Sequence, residues 1–370
     1  MRSVLHLIDT GGPGGAETVF LQCATRLDPA RFACTAVIDT DRWLAAQLRA
    51  SGLEPLIESA QGSFNVGYLR RIAAIARNVK ADVICAHLYG SAIYASALGM
   101  LTRIPVISVL HGGADIAAHD RFTALKTAII RRGSRQVVFV SESLREQLRA
   151  QLKVPDSRAV IIPNGIDTAA FSPGRDASIR VALGLAADAI LVGAIGNIRP
   201  AKSYETFLQT ARLLIDRSDR FRFVIAGQYA GALAEDLLRL RAHLGLEERV
   251  FFLGLRADVA TVLHNLDVFV LSSSSEGFSI ACVEAMACGI PVVATRCGGP
   301  ETILDERSGI LVAPRDPAAL ADAVHRIIAS PALARDLSQA ALKRARDEFS
   351  LQTMLARYSA LIERVGKTAS

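Results

Sequence analysis

Short apolar runs punctuate the chain, and the stretches between them carry helical periodicity. In the first half the runs lie at 4–8 (VLHLI), 34–39 (CTAVID), 81–87 (ADVICAH), 105–111 (PVISVLH), 136–141 (QVVFVS) and 159–163 (AVIIP), separated by segments such as VGYLRRIAAIARNVK. A strand buried on both faces reads as a continuous apolar run, and parallel neighbours need a helical crossover. The alternation predicts an α/β fold with a parallel sheet. A second series follows at 190–196, 221–227, 250–254, 266–273, 291–295 and 309–313. The segment between the two series, 168–178 (TAAFSPGRDAS), holds proline and glycine without a period, which predicts a linker. The pattern thus predicts two doubly wound domains of similar size, 1–170 and 179–349. The last segment, 350–370, places Leu351, Met354, Leu355, Tyr358, Leu361, Ile362 and Val365 on one helical stripe, with Ser350 available as N-cap. That stripe must be covered, and packing back on the N-terminal domain is the expected solution.

Composition narrows the class. The 370 residues are 51% hydrophobic and carry a net charge of +6, below the density of basic residues expected of a dedicated nucleic-acid binder. A mild positive balance suits a phosphate-bearing substrate or an anionic membrane surface. The six cysteines form no CxxC pair and no zinc spacing with histidine, so they read as buried thiols of a reducing cytosol. The opening MRSVLHLIDT is too short and too interrupted for a signal peptide, and the uncharged stretch 88–102 is too short to span a bilayer. The expectation is a cytoplasmic protein, soluble or peripheral at a membrane.

Open α/β sheets bind ligands beyond the carboxyl ends of their strands, so the residues after each run are the ones to inspect. After the first comes DTGGPGGAE, 9–17, where four glycines precede a helix. This is either a tight turn or a loop that lets backbone approach an anion, and it matches neither GxGxxG nor a P-loop. His111 closes the run 105–111 before two glycines, a position open to a structural or a catalytic role. In GNIRPAKSYETFLQTARLL, Arg199 and Lys202 stand at a helix start, where cations oppose the helix dipole unless an anion lies between. In SSSSEGFSIACVEAMACGIPVV, Glu276 occupies a turn and Glu284 lies inside the helix that follows. An acid among small apolar residues needs a partner. Two carboxylates beside helix-terminal amides suit a polyol phosphate, with a ligand hydroxyl as the partner of Glu284; the alternative is a capping or surface glutamate. Asp39 and Asp41 in VIDTDRW read as a strand-end turn rather than a metal–nucleotide site. Basic clusters at Arg70, Arg71, Arg77 and Lys80, and at Arg121, Lys126, Arg131, Arg132 and Arg135, are either solvated faces or contacts for anionic lipid headgroups.

Taken together, EGFSIACVEAMACGIPVVAT resembles the E-x7-E segment of the family 4 retaining glycosyltransferases, which have the GT-B fold of two Rossmann-like domains facing a central cleft. GGPGGAET is similar to the family's N-terminal glycine loop, VLHGG to its histidine segment, IPNGID to the turn before the interdomain linker, GNIRPAKS to its basic diphosphate motif and CGGPETI to the loop after the sixth strand. The resemblance implies a nucleotide-diphosphate sugar donor held mainly by the C-terminal domain. It assigns the ribose hydroxyls to Glu284 and the transferred sugar to Glu276. The amides of Gly277, Phe278 and Ser279 would meet sugar and phosphate, with Ile280 beside them. Arg199 and Lys202 would hold the diphosphate, with Gly15 closing from the other domain. Gly254, Leu255 and Arg256 would border the base, and His111 would approach the sugar from the acceptor side. The chain departs from the family at Asn197, where arginine is usual and Arg199 is the substitute, and at Ser279, where glycine is common.

The resemblance further implies retention of configuration by same-face attack through an ion pair, with no metal and no cofactor. The catalytic set is then His111, Glu276, Lys202 and Arg199. The acceptor is a glycan or lipid-linked molecule of surface polysaccharide or glycolipid synthesis, with peripheral contact to anionic membrane and no nucleic acid as partner. Two other readings are a sugar-nucleotide-binding sensor or scaffold without transfer activity, and a sugar-nucleotide epimerase.

Overall fold

The apolar runs of the first half become parallel strands: β1 (Arg2–Ile8), β2 (Phe32–Ile38), β3 (Leu56–Ile57), β4 (Val83–His87), β5 (Val106–Leu110), β6 (Ser134–Phe139) and β7 (Ala159–Ile161). In the sheet they stand in the order β3-β2-β1-β4-β5-β6-β7. The two-residue β3 has no counterpart in the sequence reading. It is an exposed edge strand, too short to show a period, held by pairing Leu56 with Val37 and Ile57 with Ile38. The second half supplies β8 (Ile190–Ile195), β9 (Phe221–Ala226), β10 (Val250–Gly254), β11 (Val268–Leu271), β12 (Val292–Thr295) and β13 (Ile310–Val312), in the order β10-β9-β8-β11-β12-β13. This computed structural model describes residues 1–60, 64–112 and 122–367. The chain divides into two units, Met1–Gly165 with Leu351–Ser370, and Ile166–Ser350.

In each sheet one central strand pairs with the next strand on one side and with a later strand on the other. In the first unit β1 lies between β2 and β4, and in the second β8 lies between β9 and β11. Neighbouring crossover loops diverge at such a point and leave a crevice at the strand ends. Both halves of the chain therefore present a crevice where the glycine loop, the basic loop and the glutamate turn are found.

Helix packing follows from residue size. The helix Tyr89–Thr102 is rich in Gly, Ala and Ser, and close approach to its neighbours requires this. A Cβ on Gly99 would lie 2.6 Å from Val106 Cγ2, and one on Gly133 would lie 2.2 Å from the carbonyl oxygen of Ser96. Buried hydroxyls satisfy one another there: Ser134 Oγ lies 2.9 Å from Ser96 Oγ and 2.8 Å from Ser108 Oγ. The helix Leu351–Lys367 returns to the first unit, burying Met354, Tyr358, Leu361, Ile362 and Val365, while Glu363 pairs with Arg31 at 2.6 Å. In the second unit Phe207, Phe221 and Phe223 form the aromatic centre of the core. Each such burial is worth roughly 1.5–3 kcal/mol.

The segment 168–178 is not a free linker. His264 Nε2 lies 2.8 Å from the Ser172 carbonyl, and Asn265 Nδ2 donates to Asp176 Oδ1 at 2.9 Å. These bonds satisfy polar groups that a linker would leave to water, so the segment belongs to the second unit. The chain passes between units at Gly165–Ile166 and at Ser350–Leu351. Within the second unit the Ile166 amide donates to the Phe349 carbonyl at 2.9 Å, tying the two passages together.

Candidate functional site

In the second unit the site starts where β8 ends. Gly196 turns the chain, and a Cβ on Gly227 would lie 2.1 Å from the Gly196 carbonyl oxygen, so only glycine permits these two strand ends to approach. Asn197 accepts the Gln228 amide through Oδ1 at 3.0 Å, and the Ile198 amide donates to the Gln228 carbonyl at 3.0 Å. The residue standing where the family usually has arginine thus braces its own loop. Arg199 is exposed and makes no ion pair among the described residues. A single 3-10 turn, Pro200–Lys202, then leads into the helix Tyr204–Arg217.

Lys202 turns back across the crevice. Its Nζ lies 2.7 Å from Glu276 Oε1, and Ser273 Oγ donates to the same oxygen at 2.7 Å. Both charged side chains are largely enclosed, with 20% and 12% of their surface exposed. The sequence reading places Lys202 on the diphosphate and Glu276 on the sugar; in the structure they are each other's partner. Glu276 Oε2 has no hydrogen-bond partner among the described residues, which leaves one carboxylate oxygen open. The backbone holds this acid firmly: its amide donates to the Cys297 carbonyl at 3.1 Å, and its carbonyl accepts the Gly299 amide at 2.8 Å. Gly299 is required there, since its Cβ would lie 2.7 Å from Phe278 Cα.

The helix Ile280–Ala287 begins beside that turn. Ser279 caps it, accepting the Cys282 amide at 3.4 Å. This accounts locally for serine where the family often has glycine. Phe278 is buried against Phe349, with ring centroids 5.7 Å apart, so its side chain anchors the turn while Gly277, Phe278, Ser279 and Ile280 present backbone at the helix start. First-turn amides have no partner inside their helix, and they favour an anion. Glu284 lies further along the helix, half-buried among Val283, Ala285 and Cys288. No hydrogen bond or ion pair reaches its carboxylate among the described residues, and burial pushes its pKa up to about 7. At the end of β10, Gly254 accepts the Gly227 amide at 2.8 Å and Leu255 is exposed. Arg256 is engaged in a fork on Asp258, at 2.8 and 2.6 Å.

In the first unit the glycine loop divides in two. Gly11 and Gly14 have packing reasons: their Cβ atoms would meet Thr40 Oγ1 at 2.4 Å and Glu17 Oε2 at 2.3 Å. The Glu17 carboxylate thus rests at the start of the helix Gly15–Arg26. Gly12 faces open space, and Gly15 is exposed. His111 Nε2 lies 3.1 Å from His87 Nδ1, with the two rings stacked at 5.3 Å. Burial pushes His111 down to about 3 and His87 well below its usual value. The sequence reading missed His87 and the buried His6; histidine at the end of an apolar run, as in VICAH, is the signal that could have found His87. Gly113 and Arg121 lie outside the described residues. Asp41 pairs with Arg49 at 2.8 Å, in keeping with a strand-end turn. A cleft of about 470 Å³ lies at the opposite end of the second sheet, beside Ala189 and Ile190; there Arg180 is already bound to Asp267 at 2.6 Å and to the Ala189 carbonyl at 2.8 Å.

Two Rossmann-like units with parallel sheets, each with polar residues at its switch point, are the units of which the GT-B architecture is built. The fold matches that of the Anabaena protein HepE, solved in complex with UDP-glucose, at a TM-score of 0.88 and 22% identity, covering 98% of this chain and 100% of that one. It also matches a glycosyltransferase from Rickettsia africae, at a TM-score of 0.86 and 19% identity over 98% of each chain. The family model described as Glycosyltransferase Family 4 matches residues 13–170, and that described as Glycosyl transferases group 1 matches residues 189–330. Among curated relatives, the D-inositol 3-phosphate glycosyltransferase of Mycobacterium leprae is 33% identical over 302 residues, 76% of this chain and 68% of its own length. The enzyme of that name from Frankia alni is 31% identical, over 71% of this chain and 70% of its own. The chain belongs to the family 4 glycosyltransferases. It spans 52% of the length of the Saccharomonospora viridis relative and 59% of that from Mycolicibacterium gilvum.

Proposed function

We propose that the chain is a retaining hexosyltransferase that needs no metal and moves a sugar from a nucleotide-diphosphate donor to a glycan or lipid-linked acceptor. The observation that carries this reading is the Lys202–Glu276 pair, 2.7 Å apart at the second switch point, with one carboxylate oxygen open. When the glycosidic bond breaks, negative charge grows on the diphosphate. Lys202, Arg199 and the amides at 277–279 are the groups that meet it, and fixed dipoles and cations stabilise such charge without reorganising. Glu276 Oε2 accepts a hydroxyl of the departing sugar. Glu284, short of a protein partner, accepts the ribose hydroxyls. Attack on the same face through an ion pair gives retention. The donor with which HepE was solved puts UDP-glucose first in any panel, and the relatives' name adds a phosphorylated cyclitol to the acceptors worth trying.

The test is thermal shift and hydrolysis across UDP-, GDP- and ADP-sugars, followed by transfer to an acceptor panel. One base is expected to raise the melting temperature, as any ligand of the native state does, and its sugar nucleotide to be hydrolysed slowly. Binding without hydrolysis or transfer favours the sensor reading. An isomerised sugar nucleotide favours the epimerase. No binding of any nucleotide sinks all three.

A peripheral position at the inner face of a membrane, with synthesis of a surface polysaccharide or glycolipid, completes the proposal. Phe64, Val66, Phe122 and Leu125 are exposed, the two phenyl rings meet at 5.6 Å, and Lys126 Nζ lies 5.9 Å over Phe64. Arg70, Arg71, Arg77 and Lys80 are exposed on the helix Val66–Asn78 and just beyond it. No helix among the described residues is long and apolar enough to cross a membrane. The expected result is flotation with anionic vesicles at low salt and release at high salt. Absence of binding, or binding indifferent to salt, leaves these cations as a solvated face.

A further inference from the structure

Four consecutive serines, 272–275, follow β11, and three of them bear on the two charged residues of the second crevice. Ser273 Oγ donates to Glu276 Oε1 at 2.7 Å. Ser272 Oγ donates to the Lys202 carbonyl at 3.0 Å, and the Ser274 amide donates to the Ala201 carbonyl at 2.7 Å. Ser272 and Ser273 are buried. We infer that Ser272 is a positioning residue, whose hydroxyl fixes the backbone from which Lys202 reaches Glu276 and the diphosphate. This rests on the reading that Lys202 serves sugar transfer.

The backbone at Lys202 needs such support. Pro200–Lys202 is a single 3-10 turn, a form with poor hydrogen-bond geometry of its own. Ser203 then stands in the left-handed region, at φ 46°, which a serine keeps only where its surroundings hold it. That residue takes the Ala201 and Lys202 carbonyls out of line with the helix Tyr204–Arg217, whose Thr206 amide bonds the Ser203 carbonyl at 3.0 Å. Carbonyls in a half-buried loop need donors, and the end of β11 supplies both. The side chain has a floor as well. The Lys202 stem lies over Gly196, where a Cβ would come within 2.9 Å of Cε, and the Tyr204 hydroxyl holds the Gly196 carbonyl at 2.7 Å. Thr295, fully buried on β12, donates to the Ser273 carbonyl at 2.5 Å and so holds the serine run itself. One strand end therefore sets both members of the ion pair: Ser273 orients the carboxylate, and Ser272 the root of the ammonium's side chain. The Ser274 amide keeps its bond when Ser272 loses its hydroxyl. The loss is then expected to displace Lys202 rather than release it, and to cost less than removing the ammonium.

Ser272→Ala and Ser272→Thr are the variants, with thermal melts to establish that they are folded. If the alanine variant does not fold, Ser272→Cys, of similar volume and a weak donor, is read in its place. In Ser272→Ala turnover at saturating donor is expected to fall about tenfold, the equivalent of one hydrogen bond, with donor KM near normal. The threonine hydroxyl is expected to restore most of it. In a Lys202→Ala background Ser272→Ala is expected to have no further effect on turnover, because a residue acting through Lys202 has nothing left to position. Reductive methylation of the folded chain, read at Lys202 by peptide mass spectrometry, follows the ammonium independently of activity. Several-fold faster labelling is expected in Ser272→Ala, and the wild-type rate in Ser272→Thr. Wild-type turnover in the folded loss variant, an equal loss with and without Lys202, or an unchanged labelling rate overturns the inference. A wild-type chain that transfers no sugar under any condition defeats the transferase reading instead, while the labelling rate still decides whether Ser272 places the ammonium.

Discussion

Lys202→Ala is expected to lower turnover by ~10²–10³, the usual effect of removing one preorganised partner of a developing anion. Donor affinity is expected to fall less, because charge on the diphosphate grows as the bond breaks and the interaction strengthens in the transition state. The structure adds a second consequence. Without the ammonium, Glu276 keeps the Ser273 hydroxyl but loses its cation, in a setting that leaves the carboxylate only 12% exposed. An enclosed charge deprived of its partner destabilises the native state by about 1–3 kcal/mol. The double variant Lys202→Ala/Glu276→Gln is expected to recover much of that stability and none of the turnover. Lys202→Arg is expected to rescue partly, because a planar fork does not reproduce a compact point charge. Melting temperature, turnover and donor dissociation constant for the three variants, with and without chelator, separate these effects. Near-normal turnover in Lys202→Ala would assign the charge to Arg199. A melting temperature equal to wild type would mean that the pair contributes nothing to the fold.

Glu284→Gln is expected to stabilise the protein at alkaline pH and to weaken donor binding. Burial raises this acid from the ordinary 4.5 to about 7 in the folded chain, so the native state binds the proton more tightly than the unfolded one. The group's contribution to stability is then full below pH 4.5 and is lost as pH rises through 7. At pH 8 the ionised carboxylate costs the native state up to ~3 kcal/mol. Glutamine carries no such cost, so the variant is expected to gain roughly 1–3 kcal/mol over wild type at pH 8 and nothing near pH 4.5. Hydroxyl bonds to a charged acceptor are stronger than those to a neutral amide by about 1 kcal/mol, which predicts a donor dissociation constant higher by about fivefold. Wild-type affinity is expected to rise as pH passes 7, and the variant's to stay flat. Melting curves and calorimetric titrations between pH 5 and 8 supply both readings. A stability difference that does not vary with pH removes the buried acid from the account.

Obtained as expected, these results account for an acid inside IACVEAMACG. An enclosed glutamate ordinarily finds a donor within the protein, as Glu276 does in Lys202 and Ser273. Glu284 has none among the described residues and bears the cost of burial in the absence of ligand. Functional sites are where such local inconsistencies are retained.

Several parts of this site were legible in the residues themselves. The apolar runs marked twelve of the strands, because burial on both faces of a parallel sheet leaves a signal in a few consecutive residues. The glycine-bearing strand ends were visible as loops, but the close backbone approaches at 196, 227 and 299 and the capping role of Ser279 came from the structure. Composition and charge carried the expectation that nucleic acid is not a partner.

Tertiary structure decided what crosses from one element to another. Lys202 and Glu276 are separated by 74 positions, and their pairing depends on β8 and β11 being neighbours, a fact of strand order that no local pattern carries. His87 and His111 meet because β4 and β5 lie side by side in register, His87 opposite Val109. The helix Leu351–Lys367 displayed its stripe in the sequence, but what covers that stripe was set by the return of the chain to the first unit. The segment 168–178 looked like a linker because its composition resembles one, and only His264 and Asn265, far along the chain, show that its polar groups are satisfied. Periodicity and turn chemistry are properties of neighbours along the backbone, so the sequence by itself determined the elements and the loops that end them. Hydrogen bonds and ion pairs act over a few ångströms of space regardless of separation along the chain, so only the assembled sheet determined which acid, which cation and which histidine face each other.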